Sequence, residues 1–214
     1  MDLNSYTGLL ATLGYHLNRT DMADIAPVAI RMTEAELNRR LRLRRMQTTT
    51  SISVTGANLA LPTDYNGWIS LTVDGSPVTM TGTAAADLAA TYGGSGAPTQ
   101  ASIEGGNIAF LPVPTTTYVG ALTYWAKVPA LTAQNTTNWV LEQHPDLYLY
   151  GCLAHLAPMF VEDERIGLWR GFFDRAIQGA KAADARETRT SALLRTDLPA
   201  QGSASLSDFL AGRV

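Results

Sequence analysis

The chain has 214 residues, of which 46% are hydrophobic, and a formal net charge of −3. This length allows one substantial core, or a core with a small satellite domain, and the composition is that of a globular protein rather than a disordered one. The negative charge argues against a general nucleic-acid binder. A single cysteine excludes an intramolecular disulfide, and no apolar run approaches the roughly 20 residues that a membrane helix needs.

Two helices are predicted at the start of the chain. Asn4 or Ser5 can cap the first, which should end near Asn18. Its narrow apolar stripe consists of Leu9, Leu10, Leu13 and Leu17. Asp21 opens the second helix, whose apolar face continues to about Arg45.

Charge almost disappears in the middle of the chain. The 87 residues from Gln47 to Ala133 hold only five charged side chains, and the flanks hold the other thirty. Few groups in this loop-rich part can move a proton or hold a metal, which favours assembly over catalysis. We therefore predict no enzyme activity, no catalytic or metal residues and no cofactor.

The same middle part has the pattern of β-strands, because its period changes to two and β-branched residues dominate. The predicted strands are Ser51 to Thr55, Trp68 to Val73, Val78 to Met80, Ala101 to Glu104, Asn107 to Leu111 and Tyr118 to Val128. Asp74-Gly75 and Gly105-Gly106 tolerate the positive φ of tight hairpin turns, so we expect a small antiparallel sheet. A short helix over Thr83 to Thr91 is predicted to cross its end.

Helical patterning returns near the C-terminus. Pro145 fits the first turn of a helix that Pro158 must kink or end. Another helix should begin at Asp163 and Glu164 and run to about Glu187. The last 27 residues are rich in Ser, Ala and Gly and resemble a tail that orders on a partner.

These elements predict an α+β fold in which N- and C-terminal helices form a bundle, with an inserted antiparallel β-sheet region and an extended C-terminal tail. Residues 1–46 supply the N-terminal helices, 47–133 the β-rich insertion, 134–187 the C-terminal helices and 188–214 the tail.

A cluster of arginines occupies the last turns of the predicted second helix and is the main candidate contact site. It consists of Arg39, Arg40, Arg42, Arg44 and Arg45. Fourteen of the sixteen basic residues are Arg, which suits planar contacts with carboxylates and phosphates. The cluster could line a DNA channel, pair with acidic residues of a neighbouring protein, or be a solvated helix end favoured by the helix dipole.

Two other groups of residues have a functional and a structural interpretation. Cys152 and His155 lie three apart on a helix, but Cys152 sits among leucines and no further ligand is suitably spaced, which favours a buried thiol. An aromatic platform for sugar or single-stranded nucleic acid could be built from Trp68, Tyr118, Tyr124 and Trp125. On strands with few charges nearby, such residues more often belong to a core or an interface.

Three stretches together resemble a known family. They are Glu36-Leu37-Asn38-Arg39-Arg40-Leu41-Arg42, then Leu61-Pro62-Thr63-Asp64-Tyr65, then Trp139-Val140-Leu141 with His144-Pro145-Asp146-Leu147-Tyr148-Leu149-Tyr150-Gly151 and Asp163-Glu164-Arg165. Their order and spacing cover most of residues 5–187. The chain is similar to the head-to-tail adaptor, or connector, proteins of tailed bacteriophages.

The resemblance implies a virion structural protein that is assembled in the host cytoplasm. In that family, copies form a ring, commonly dodecameric, beneath the portal protein and above a tail or nozzle protein. Double-stranded DNA passes through the lumen without sequence-specific binding, and the C-terminal segment reaches the portal. The tail after Glu187 matches no motif of the family, so its predicted portal-docking residues, Leu206, Phe209 and Leu210, rest on position and composition.

The main alternative is a carbohydrate- or surface-binding module that uses the β insertion for recognition. A concave aromatic pocket with convergent polar groups would favour the binding module, whereas large flat patches on opposite sides would favour the ring.

Overall fold

The computed structural model describes residues 3–159 and 165–196, with side chains up to residue 188. The fold is α+β, with six helices and one curled seven-stranded mixed sheet among these residues. The helices are α1 (Tyr6–Leu17), α2 (Met22–Arg40), α3 (Ala85–Tyr92), α4 (Trp139–Gln143), α5 (Pro145–Leu156) and α6 (Ile166–Thr196). The strands are β1 (Gln47–Val54), β2 (Asn58–Ala60), β3 (Tyr65–Val73), β4 (Ser76–Met80), β5 (Gln100–Glu104), β6 (Asn107–Leu111) and β7 (Tyr118–Ala126).

The predicted start and end of the first helix are confirmed. Ser5 is the N-cap of α1, and its hydroxyl accepts a hydrogen bond from the Gly8 N–H at 3.2 Å. Asn18 ends the helix in the left-handed conformation, with φ 50°. Leu9 and Leu13 are fully buried, as the apolar stripe requires.

Helices α1, α2, α4, α5 and α6, here called the helical region, share one apolar core. Helix α5 is buried on nearly every side, because α1, α2, α4 and α6 all pack against it. Close packing is visible at Gly151, where an added Cβ would lie 2.4 Å from Thr33 of α2 and 2.9 Å from Phe173 of α6.

The inserted sheet has its own apolar core. Its strand order is β1-β7-β3-β4-β5-β6-β2, and its buried residues include Phe110, Leu122 and Leu71. The predicted hairpin turns are confirmed, since Asp74, Gly75, Gly105 and Gly106 all have positive φ.

The prediction of an all-antiparallel sheet is wrong. Strands β4 and β5 pair in parallel, with Thr79 opposite Gln100 and Met80 opposite Ala101. The connection between them contains α3, the predicted short helix, and such a crossover returns the chain in the same direction. The short edge strand β2 has no counterpart among the predicted strands.

Two helix ends also differ from expectation. Helix α2 stops at Arg40 instead of about Arg45, and α6 continues past Glu187 to Thr196. The first nine residues of the expected tail are therefore helical. Helix α5 ends at Leu156, two residues before Pro158, as predicted.

Polar side chains of α2 hold the chain where it leaves the sheet. The buried Glu34 carboxylate accepts hydrogen bonds through Oε1 from the Leu131 N–H at 2.7 Å and the Tyr148 hydroxyl at 2.9 Å. Asn38 Oδ1 accepts from the Val128 N–H at 2.8 Å. These bonds attach the exit of the insertion to the helical region.

Candidate assembly surface

The arginine cluster begins at the end of α2, with Arg39 and Arg40, and continues along the segment that leads from α2 to β1. Leu41 adopts an extended conformation with ψ 140°, and a single 3-10 turn over Arg44–Met46 precedes β1. Leu41 and Leu43 are buried, whereas Arg42 and Arg44 between and after them are exposed. An extended chain points alternate side chains to opposite sides, which explains why burial here alternates instead of following a helix.

Arg40 and Arg44 bind helix α6 of the same chain. Arg40 donates to Glu36 Oε1 at 2.8 Å and to Asp174 Oδ1 at 2.6 Å, and its guanidinium lies 5.7 Å from the centre of the Phe173 ring. The Arg44 N–H donates to Asp184 Oδ1 at 2.9 Å, and its guanidinium donates to Glu187 Oε2 at 3.2 Å. Both arginines therefore tie the end of α2 to α6.

Arg42 has a third role. Its Nη1 donates to the carbonyl oxygens of Asn38 and Leu41, both at 2.7 Å, which satisfies carbonyls at the C-terminal end of α2. Its Nη2 donates to the Asn66 carbonyl of β3 at 3.3 Å. Arg42 thus links the helix end to the sheet.

Arg39 and Arg45 are the members that point to solvent. Arg39 is exposed and makes no hydrogen bond or ion pair within residues 3–159 and 165–188. The exposed Arg45 guanidinium lies 6.0 Å from the centre of the Trp139 ring. Beside it is an open cavity of about 480 Å³, lined by residues that include Arg44, Arg45, Trp139, His144 and Glu187.

Sequence reasoning missed the acidic partners of this cluster. The Glu36 carboxylate contacts three side chains. Its Oε1 accepts from Arg40, and its Oε2 lies 3.3 Å from Arg170 Nη1 and 3.3 Å from His155 Nε2. The i, i+4 spacing of Glu36 and Arg40 could have indicated that pair. Asp174 is 134 residues from Arg40, so only the tertiary structure brings them together.

The structure supports the buried interpretation of Cys152. Its side chain is fully buried and accepts a hydrogen bond from the Thr33 hydroxyl at 3.6 Å. Burial raises the pKa of Cys152 to about 12, so the thiol stays protonated at neutral pH. Within residues 3–159 and 165–196, no three His, Cys, Asp or Glu side chains are grouped so as to hold a metal ion.

The aromatic residues of the sheet are part of its packing. Tyr124 is buried, stacks on Tyr65 and donates a hydrogen bond from its hydroxyl to Asp64 Oδ1 at 2.9 Å. Trp68 and Tyr118 pack against the sheet core, and Trp125 packs against the helical core. These four aromatics therefore face two different cores instead of forming one platform.

Comparison with known families identifies the family of this chain. A family model described as SU10 adaptor protein matches residues 4–197, which include every described helix and strand. The chain belongs to the SU10 adaptor protein family. The resemblance to phage head-to-tail adaptors is thereby confirmed, and the protein is a structural adaptor component of a phage virion. No curated protein matches the chain.

None of the described helices is long and apolar enough to cross a membrane. The predicted docking residues Leu206, Phe209 and Leu210 lie outside the described residues.

Proposed function

We propose that this SU10 adaptor protein assembles as a ring, a dodecamer by family resemblance, between the portal protein above and a tail or nozzle protein below. Double-stranded DNA passes through the lumen without sequence-specific binding. Helices from the N- and C-terminal parts of each subunit form a bundle, which is the architectural element of the ring. The ring is assembled in the host cytoplasm. The observation that carries it is the family match over residues 4–197, which covers both the helical region and the insertion.

The surface chemistry of the insertion supports a role in packing against other chains. Strands β1, β3 and β7 contain no charged residue, and β1 exposes most of its Thr and Ser side chains to solvent. Charged residues are depleted at the centres of protein interfaces, because burying an unpaired charge is unfavourable. A neutral, hydroxyl-rich sheet can therefore be covered by a neighbouring protein at little desolvation cost.

The five arginines divide between two roles in this proposal. Arg40, Arg42 and Arg44 make contacts inside the subunit, so they shape the junction between α2, α6 and β3. Arg39 and Arg45 are better placed to contact a neighbouring subunit, the portal or the DNA channel. Because ejected DNA must slide, a strongly basic lumen is unfavourable, and a protein carboxylate is the preferred partner.

Cryo-electron microscopy of intact particles tests the ring. We expect one symmetric set of copies at the junction of head and tail, with the helical region of each copy in the same environment. Particles that lack the protein, or that contain one or two copies, would contradict the proposal.

The proposed docking of the tail needs its own experiment. Six large apolar side chains are spaced over Thr188 to Val214, and burying Leu206, Phe209 and Leu210 is worth roughly 4 to 9 kcal/mol before the cost of ordering the segment. Changing these three residues to Ala should leave the melting temperature unchanged but abolish stable attachment to portal-bearing heads. Normal attachment of this variant would remove the segment from the proposed docking site.

A further inference from the structure

The outward side of helix α2 has an unpartnered face. Val28 is 51% exposed and Met32 is 47% exposed, and Asp24 lies one turn before Val28 on the same i, i+4 row. Asp24 makes no ion pair within residues 3–159 and 165–188. This row, here called the α2 ridge, is Asp24, Val28 and Met32.

The outward side of helix α6 has the complementary shape and charge. Gly167, Gly171 and Arg175 also follow each other at i, i+4 spacing, and all three are exposed. An added Cβ at either glycine would meet nothing within 4 Å, so no contact inside the chain requires these residues to be small. Leu168 beside them is 50% exposed, and Arg175 makes no ion pair with a described residue. This row is called the α6 groove.

We infer that the α2 ridge of one copy packs into the α6 groove of a second copy, and that this is the repeating contact of the ring; the inference rests on the proposed function. Rows at i, i+4 spacing form the ridges and grooves by which helices interlock. In an antiparallel crossing, Met32 faces Gly167, Val28 faces Gly171, and Asp24 faces Arg175. The contact is heterologous, since ridge and groove lie on different helices, and a heterologous contact generates a ring when the rotation between successive copies closes.

Charge complementarity selects a second copy as the occupant. Among the residues with described side chains, neither the acid at the end of the ridge nor the base at the end of the groove makes an ion pair, and the residues between them are apolar or small. Packing one against the other removes Val28, Met32 and Leu168 from water and pairs the two charges.

Charge exchange tests the pairing. Asp24→Arg and Arg175→Asp, each alone, place like charges together and should reduce incorporation into particles about tenfold or more. The double variant Asp24→Arg/Arg175→Asp restores the pair and should recover incorporation. The matched control is Lys181→Asp, since Lys181 is exposed on the same helix but turned about 120° away from Arg175. A double variant that assembles no better than the singles would overturn the pairing.

Disulfide crosslinking tests the geometry independently. Val28→Cys/Gly171→Cys should give a ladder of linked subunits from oxidised particles on a non-reducing gel, and the buried Cys152 does not compete. A ring seen by microscopy without such a ladder would overturn this interface while leaving the proposed function intact. Absence of any ring would instead contradict the proposed function.

The glycine adds a test that separates folding from assembly. Alanine is a better helix former than glycine, so Gly171→Ala should melt at an equal or higher temperature. It should nevertheless incorporate less well, because the added methyl group holds the ridge away from the helix. Full incorporation of Gly171→Leu would show that no helix approaches this groove.

Discussion

The helical region and the inserted sheet are stabilised by different chemistry. The helical core contains a hydrogen-bonded set of polar side chains, Glu34, Tyr148 and Asn138, and is bordered by ion pairs between α2 and α6. The sheet core is almost entirely apolar, and its strands depend on backbone pairing. Apolar contacts tolerate many arrangements, whereas buried polar groups must find specific partners. Packing in the helical region is therefore fixed by specific polar partners, which the sheet core largely lacks.

The largest expected effect comes from removing a fully buried ring in either region. Phe173→Ala in the helical core and Phe110→Ala in the sheet core should each cost about 3 to 5 kcal/mol of unfolding free energy, because each leaves a cavity. Since the two cores have no buried residue in common, Phe110→Ala should loosen the sheet while helical circular dichroism persists. Simultaneous loss of both signals in this variant would show that the regions unfold as one unit.

A slightly smaller loss is expected at the junction between the regions. Glu34→Leu removes the acceptor of the Leu131 N–H and the Tyr148 hydroxyl, and two buried donors without partners cost about 2 to 5 kcal/mol together. Glu34→Gln is the matched control, because its amide oxygen can still accept. Denaturant unfolding measures both variants, and equal stability of the Leu variant and the native chain would show that the junction is not held by these bonds.

The same carboxylate predicts a pH dependence. Burial raises the pKa of Glu34 above its ordinary value of 4.5, against the opposing hydrogen bonds from Leu131 and Tyr148. A raised pKa in the folded state contributes stability that is fully present below pH 4.5 and is lost as pH rises through the folded pKa. The unfolding free energy of the native chain minus that of Glu34→Gln should therefore fall as the pH rises from 4.5 through the folded-state pKa of Glu34. A difference that is constant or rises with pH would contradict the raised pKa.

The smallest effects are expected at the exposed arginines. Arg39→Ala should change stability by less than about 0.5 kcal/mol, because the side chain has no partner in the described residues. Arg40→Ala breaks contacts with Glu36 and Asp174 and should cost up to about 1 kcal/mol, since both ion pairs are partly exposed. Thermal unfolding of the two variants side by side compares an outward arginine with an inward one.

The arginines also test assembly. Arg39→Glu and Arg45→Glu together should impair docking or ring closure while leaving circular dichroism unchanged. Full infectivity of particles carrying both changes would show that the exposed members of the cluster are simply solvated.

Much of the fold could be predicted from local pattern. Ser5 and Asn18 bound α1 as expected, and the Asp74-Gly75 and Gly105-Gly106 turns occur where glycine permits positive φ. The end of α2 could not be read in the same way. Leu37 and Leu41 have helical spacing, so the sequence suggests that the helix continues. The structure shows that it ends at Arg40, because Leu41 and Leu43 are both buried from an extended segment.

By itself, the sequence determined the charge division, the two kinds of secondary structure and the family resemblance, because these depend on composition, periodicity and short motifs. Tertiary structure alone decided the parallel pairing of β4 with β5 and which arginines are used internally. Arg40 finds Asp174 and Arg44 finds Asp184 across more than 130 residues of chain. Contacts of that kind exist because α2 and α6 pack against the same helix, α5, and no local pattern encodes them.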